Sequence, residues 1–93
     1  MQRHGKRRLT PEEAFAKVLR EVRKERGMSQ EQLGFESGYH RTYIGMLERG
    51  PMNPTLRTML SVASALGVPA GEIVQRVETA LGKGWKRERE SGS

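Results

Sequence analysis

Residues 29–50 constrain this chain more than any other stretch: Ser-Gln-Glu-Gln-Leu-Gly-Phe-Glu-Ser-Gly-Tyr-His-Arg-Thr-Tyr-Ile-Gly-Met-Leu-Glu-Arg-Gly. Ser29 with Gln32 three residues later is a capping box, in which each side chain satisfies a backbone N–H that a first helical turn leaves open. Gly38 then offers the left-handed backbone conformation that a sharp helix stop needs. Beyond it Ile44 and Leu47, three apart, give a second short helix one narrow apolar edge. His40, Arg41, Thr42 and Tyr43 crowd the start of that helix with groups able to meet a polar partner.

The remaining helices follow from the same signals. Thr10-Pro11-Glu12-Glu13 is another capping box, with proline at the first helical position, where its missing N–H costs nothing. Phe15, Val18, Leu19 and Val22 then repeat at i, i+3, i+4 and i+7 until Gly27 stops the first helix. The second helix is expected over about 30–37 and the third over about 40–49. Gly50-Pro51-Met52-Asn53-Pro54 cannot be helical throughout. A fourth helix begins near Thr55, with Leu56, Met59, Leu60, Ala63 and Leu66 expected on one apolar face, and ends at Gly67. The fifth starts around Pro69, gains from Glu72 in its first turn, and carries Ile73, Val74, Val77 and Leu81 before Gly82 and Gly84. No strand-length alternation of apolar residues is present, so the fold class is all-α with five helices.

Two short helices turning on a glycine are the layout of a helix-turn-helix, whose second helix enters the DNA major groove. Residues 14–74 moreover resemble the Cro/repressor-type (xenobiotic-response-element-like) helix-turn-helix family. The carrying motifs are Leu-Arg-x-x-Arg at 19–23, Gly-x-Ser-Gln at 27–30, Ile44 with Glu48-Arg49-Gly50, Pro54, and Ala63-x-x-Leu-Gly-Val at 63–68. Within the family, His40-Arg41-Thr42-Tyr43-Ile44 looks most like the controller proteins of restriction-modification systems. The resemblance implies a compact lambda-repressor-like domain. It also implies that Arg23 and Glu48 form an internal structural ion pair and that Gln30 contacts the DNA backbone. Gly34 stands where the family usually has alanine, at a close contact of the second and third helices that only a small residue fits.

Charge is uneven along the chain. The total is +6, yet residues 9–82 hold nine basic and nine acidic groups and are neutral. Residues 1–8 carry Arg3, Lys6, Arg7 and Arg8 without an acid, and residues 83–90 carry Lys83, Lys86, Arg87 and Arg89 against Glu88 and Glu90. The expected organisation is a basic N-terminal arm (1–8), a DNA-binding domain (9–82) and a basic flexible tail (83–93) whose charges can neutralise phosphates. Tails of this kind also simply solubilise a small protein. Trp85 sits in the tail with no role that the sequence decides.

Other function classes find little to stand on. There is no cysteine and no aspartate, the two histidines lie 36 positions apart, and no histidine-centred triad or phosphate-binding glycine loop is present. An enzyme is not expected, nor a metal or other cofactor. No apolar run approaches the roughly 20 residues of a membrane helix, and the charged N-terminus is followed by no apolar region, so a cytoplasmic protein is expected.

The expected DNA-reading residues are His40, Arg41, Thr42 and Met46. Arginine can donate two hydrogen bonds to a guanine edge, and threonine can meet a thymine methyl or a base edge. His40 either reads a base or helps start the third helix, and Met46 either meets a thymine methyl or packs on the core. Gln30, Tyr43, Arg49, Asn53 and Arg57 are expected at phosphates, which set register rather than sequence preference. Ile73, Val74, Val77 and Leu81 form a row longer than one neighbouring helix needs, so part of it is expected at a homodimer interface, as in the controller-like relatives. A homodimer doubles the half-site that one recognition helix reads. The expected function is therefore a sequence-specific transcriptional regulator on a short palindromic operator, a repressor that blocks RNA polymerase or a controller that contacts it. The alternative is an antitoxin that binds its operator and a toxin partner.

Overall fold

The computed structural model describes residues 9–50, 52–82 and 85. Five helices run in order: α1 (Pro11–Glu25), α2 (Gln30–Ser37), α3 (Arg41–Arg49), α4 (Leu56–Leu66) and α5 (Ala70–Leu81). No strand occurs among the described residues, and the all-α class expected from periodicity is the one found. The expected basic arm and nearly all of the expected tail lie outside the described residues. No helix among them is long and apolar enough to cross a membrane.

The two capping boxes form as their sequences dictate. Thr10 Oγ1 accepts from the Glu13 N–H at 3.1 Å, and Glu13 Oε1 accepts from the Thr10 N–H at 3.0 Å. Ser29 and Gln32 repeat the exchange at 3.0 and 2.8 Å. Each cap contributes about 1 kcal/mol and, more to the point, fixes where α1 and α2 begin.

The core gathers one face from every helix. Val18, Leu19 and Val22 of α1, Leu33 of α2, Ile44 and Leu47 of α3, Val62 and Leu66 of α4 and Ile73 of α5 are almost completely buried. α1 is the central element, packing on both α3 and α5, while α2 packs on α3 and α4. Arg76 of α5 donates to both carboxylate oxygens of Glu25 at 2.9 Å and to Glu72 at 3.2 Å, tying α5 to the end of α1.

On α4 the inward face differs from the one expected. Thr58, Val62 and Leu66 point inward at i, i+4 and i+8, flanked by Met59 and Ala63. Leu56 and Leu60 lie further round the helix and are 67% and 53% exposed. Thr58 can occupy the core because its hydroxyl is satisfied: it accepts from Thr55 Oγ1 at 3.1 Å and lies 3.2 Å from the Tyr39 hydroxyl. A buried polar group with partners in place costs little, so the threonine displaces a leucine from the inward face.

The turn between α2 and α3 requires glycine twice. Gly38 has φ of +85° and its N–H donates to the Gly34 carbonyl at 2.9 Å. At Gly34 itself a Cβ would stand 2.6 Å from the Tyr39 carbonyl oxygen and 3.1 Å from the Arg41 nitrogen, both backbone atoms. The expectation of a small residue is thereby tightened: in this chain even a methyl group is too large.

Candidate nucleic-acid interface

α3 presents its surface because of how its two ends are held. His40 is its N-cap, with Nδ1 accepting from the Thr42 N–H at 3.0 Å. The ring thus starts the helix, which was one of the two roles open to it. Ile44 and Leu47 anchor the opposite edge in the core. What remains outward is Arg41, Thr42, Met46 and Arg49, all exposed. Met46, at 40% exposure, belongs to this outer face and not to the core cluster.

Arg41 is the first residue of α3, and its guanidinium stands 4.0 Å from the Glu31 carboxylate across the turn. Both side chains are well exposed, so the attraction is screened and leaves Arg41 free to turn to another partner. Thr42, Gly45, Met46 and Arg49 fall at i, i+3, i+4 and i+7 and form one stripe. Gly45 contributes no side chain, and the space above it is taken by neighbours. A Cβ there would meet Arg49 Nη1 at 3.2 Å and Gln30 Oε1 at 3.6 Å.

Gln30 is therefore brought to the stripe from α2, and the structure shows what holds it. Its Nε2 donates to Glu48 Oε1 at 3.0 Å, and the same oxygen accepts from Arg23 Nη2 at 2.9 Å. Arg23 also donates through Nε to Glu48 Oε2 and through Nη1 to the Met28 carbonyl at 2.8 Å. The two charged side chains are only 11% and 3% exposed. Hydrogen bonding to Glu48 raises the Arg23 pKa above its ordinary value, against the lowering effect of its own burial. The pair's contacts are all internal, and it joins α1, α2 and α3 at one point.

The other expected phosphate residues are spread more widely. Arg49, Asn53 and Arg57 are exposed at the end of α3, in the following loop and in the first turn of α4. Tyr43 differs from them. It is half-buried, its ring centroid lies 5.0 Å from that of Tyr39, and its hydroxyl is 3.5 Å from Thr58. That inward tie competes with any role at a phosphate.

Of the expected dimer residues, Ile73 must be withdrawn: at 1% exposure it is core of its own subunit and has no surface to offer another. Val77 is half-buried against the core, Leu81 is half-buried, and Val74 is 41% exposed. Val74 and Val77 border a mostly apolar groove of about 190 Å³, whose other walls include Phe15, Pro54 and Met59. Trp85 is 42% exposed. No group of three metal-ligating side chains occurs among the described residues.

A capped α2, a glycine turn and an α3 with its polar stripe outward define a helix-turn-helix DNA-binding protein. The sequence pattern of the helix-turn-helix family matches residues 19–73, more than half of the chain, and the protein belongs to that family. Its relatives are DNA-binding transcription regulators, controllers and repressors among them. The control protein C.SmaI of Serratia marcescens is 42% identical over 64 residues, covering 69% of this chain and 76% of that one. The restriction-modification controller protein C.AhdI of Aeromonas hydrophila superposes with a TM-score of 0.63 at 43% identity, over 66% of this chain and 92% of its own. The clp gene regulator ClgR of Corynebacterium glutamicum has the same fold, with a TM-score of 0.76 at 24% identity over 81% of this chain and 97% of its own.

Proposed function

We propose that this protein is a homodimeric, sequence-specific transcriptional regulator of the repressor or controller kind, acting in the cytoplasm on a short palindromic operator. α3 of each subunit enters the major groove. Arg41, Thr42 and Met46 read base edges there, and Gln30, Arg49, Asn53 and Arg57 hold the flanking phosphates. The observation that carries this reading is the outward stripe of α3, on which Thr42, Met46 and Arg49 are exposed while Gly45 between them is covered by Gln30 and Arg49. The similarity to controller proteins favours the controller kind. A dimer is supported by Val74, an exposed valine bordering an apolar groove. One helix reads too few base pairs for discrimination, and two half-sites about one DNA turn apart supply the rest.

Reading and holding separate experimentally. Arg41→Ala should cost about 1–3 kcal/mol and relax preference at one base pair per half-site. Gln30→Ala should weaken cognate and scrambled duplexes by similar factors. Both are measured by titration against a duplex selected from random DNA and its single-base variants. Equal weakening of every sequence by Arg41→Ala would refute the assignment of the reading face.

A further inference from the structure

α1 contributes one arginine that the fold does not use. Arg20 and Arg23 lie three apart on the same helix and so share a face. Arg23 turns inward to Glu48, whereas Arg20, one turn earlier, stays exposed. Arg20 and Arg49 line one open groove of about 390 Å³ between α1 and the end of α3, enough for a phosphodiester group and its surrounding water.

Two of the three carboxylates lining this groove are already paired with cations, and the third is held by a backbone N–H. Lys17 donates to Glu21 at 2.7 Å, Glu48 is held by Arg23, and Glu13 Oε1 accepts from the Thr10 N–H. Arg20 and Arg49 have no hydrogen-bond or ion-pair partner among the described residues. With Lys17 cancelling Glu21 and Arg23 cancelling Glu48, two unpaired guanidinium groups face only the Glu13 carboxylate. The groove favours an anion. It is also continuous with the DNA-facing stripe, because Arg49 Nη1 and Gln30 Oε1 both lie over Gly45.

We propose that α1 is part of the DNA-binding surface, with Arg20 and Arg49 together holding a backbone phosphate beside the one met by Gln30. This inference rests on the placement of α3 in the major groove and extends the contact beyond the helix-turn-helix to a third helix. It adds affinity and register, with no base preference of its own.

The test is the salt dependence of binding, followed from about 50 to about 200 mM on a selected duplex about two DNA turns long and on its scrambled counterpart. Arg20→Gln should make the slope of log affinity against log salt shallower by about 0.9 per subunit, about 1.8 for the bound dimer, so that the loss over this range is about 12-fold smaller, on both duplexes alike. Arg26→Gln removes the same charge from the far end of α1, where Arg26 donates to the Gly67 carbonyl, and should leave the slope unchanged. Arg20→Lys should retain the wild-type slope. Equal slopes for Arg20→Gln and Arg26→Gln, or for Arg20→Gln and wild type, would overturn the proposal while leaving the major-groove reading intact. A wild-type chain that prefers no duplex would overturn both.

Discussion

Removing Glu48 is the most informative single change to this fold. Its side chain is 3% exposed and faces Arg23, itself 11% exposed at the side chain, so Glu48→Ala strands a guanidinium where water cannot compensate it. Breaking a buried pair from one side typically costs about 3–5 kcal/mol. A domain of this size is stabilised by only about 5–10 kcal/mol, and such a loss should lower the melting temperature by about 12 °C or more. The Met28 carbonyl keeps its Arg23 donor in this variant, and Gln30 loses the acceptor that orients its amide. The double variant Arg23→Met with Glu48→Leu should recover much of the loss, because the desolvation of two charges is removed with their attraction. It will not recover all of it, since the Met28 carbonyl then lacks a donor, at a cost of about 1–3 kcal/mol. Urea denaturation of the two single variants and the double gives the coupling directly. Losses that simply add, or a Glu48→Ala cost below about 1 kcal/mol, would refute the reasoning that the buried charge dominates.

Three further outcomes are expected. Gly34→Ala should destabilise the fold by about 1–3 kcal/mol in thermal melts, although alanine gains about 1 kcal/mol of helix propensity, because its methyl meets backbone at 2.6 Å. Glu25 has its pKa lowered, chiefly by the hydrogen bond from Arg76, so its contribution is present above its ordinary value near 4.5 and is lost as pH falls below that. Arg76→Gln should flatten the acid limb of stability against pH, and an unchanged limb would show that the exposed pair contributes nothing. Val74→Glu should give monomers in sedimentation and weaken operator binding; it is a cleaner probe than Val77→Glu, since Val77 also packs on the core.

The elements were legible in the sequence because their boundaries are written locally. Thr10 with Glu13 and Ser29 with Gln32 start helices, and Gly38 and Gly67 stop them in left-handed conformations. Burial on α4 was not, because it depends on what surrounds the helix. Leucine reads as core and threonine as surface until the Tyr39 hydroxyl and Thr55 are seen to satisfy Thr58. The same holds at Ile73, which periodicity groups with Val74 and Val77 although the core of its own subunit already covers it. The Arg76–Glu25 contact joins residues 51 apart and leaves no local trace at all.

The proposed DNA-facing site was legible to the extent that it lies on one helix. Arg41 and Thr42 could be placed outward once Ile44 and Leu47 were assigned inward, whereas Met46 stayed open between surface and core until its 40% exposure was seen. Nothing in the spacing of Gln30 and Glu48, 18 residues apart, indicates that they touch. Yet that contact changes what each does. Glu48 serves as an internal counter-ion for Arg23 and also as the acceptor that fixes the amide of Gln30 beside Gly45. An acidic residue on a helix proposed to face DNA is unfavourable near phosphate, and here the carboxylate is paired with one guanidinium while its Oε1 also accepts from one amide. In the proposed complex, a carboxylate that would otherwise repel phosphate is neutralised by Arg23 and orients the amide of Gln30. Stability and DNA affinity should accordingly fall together when Glu48 is lost, whereas loss of Arg41 should affect affinity alone.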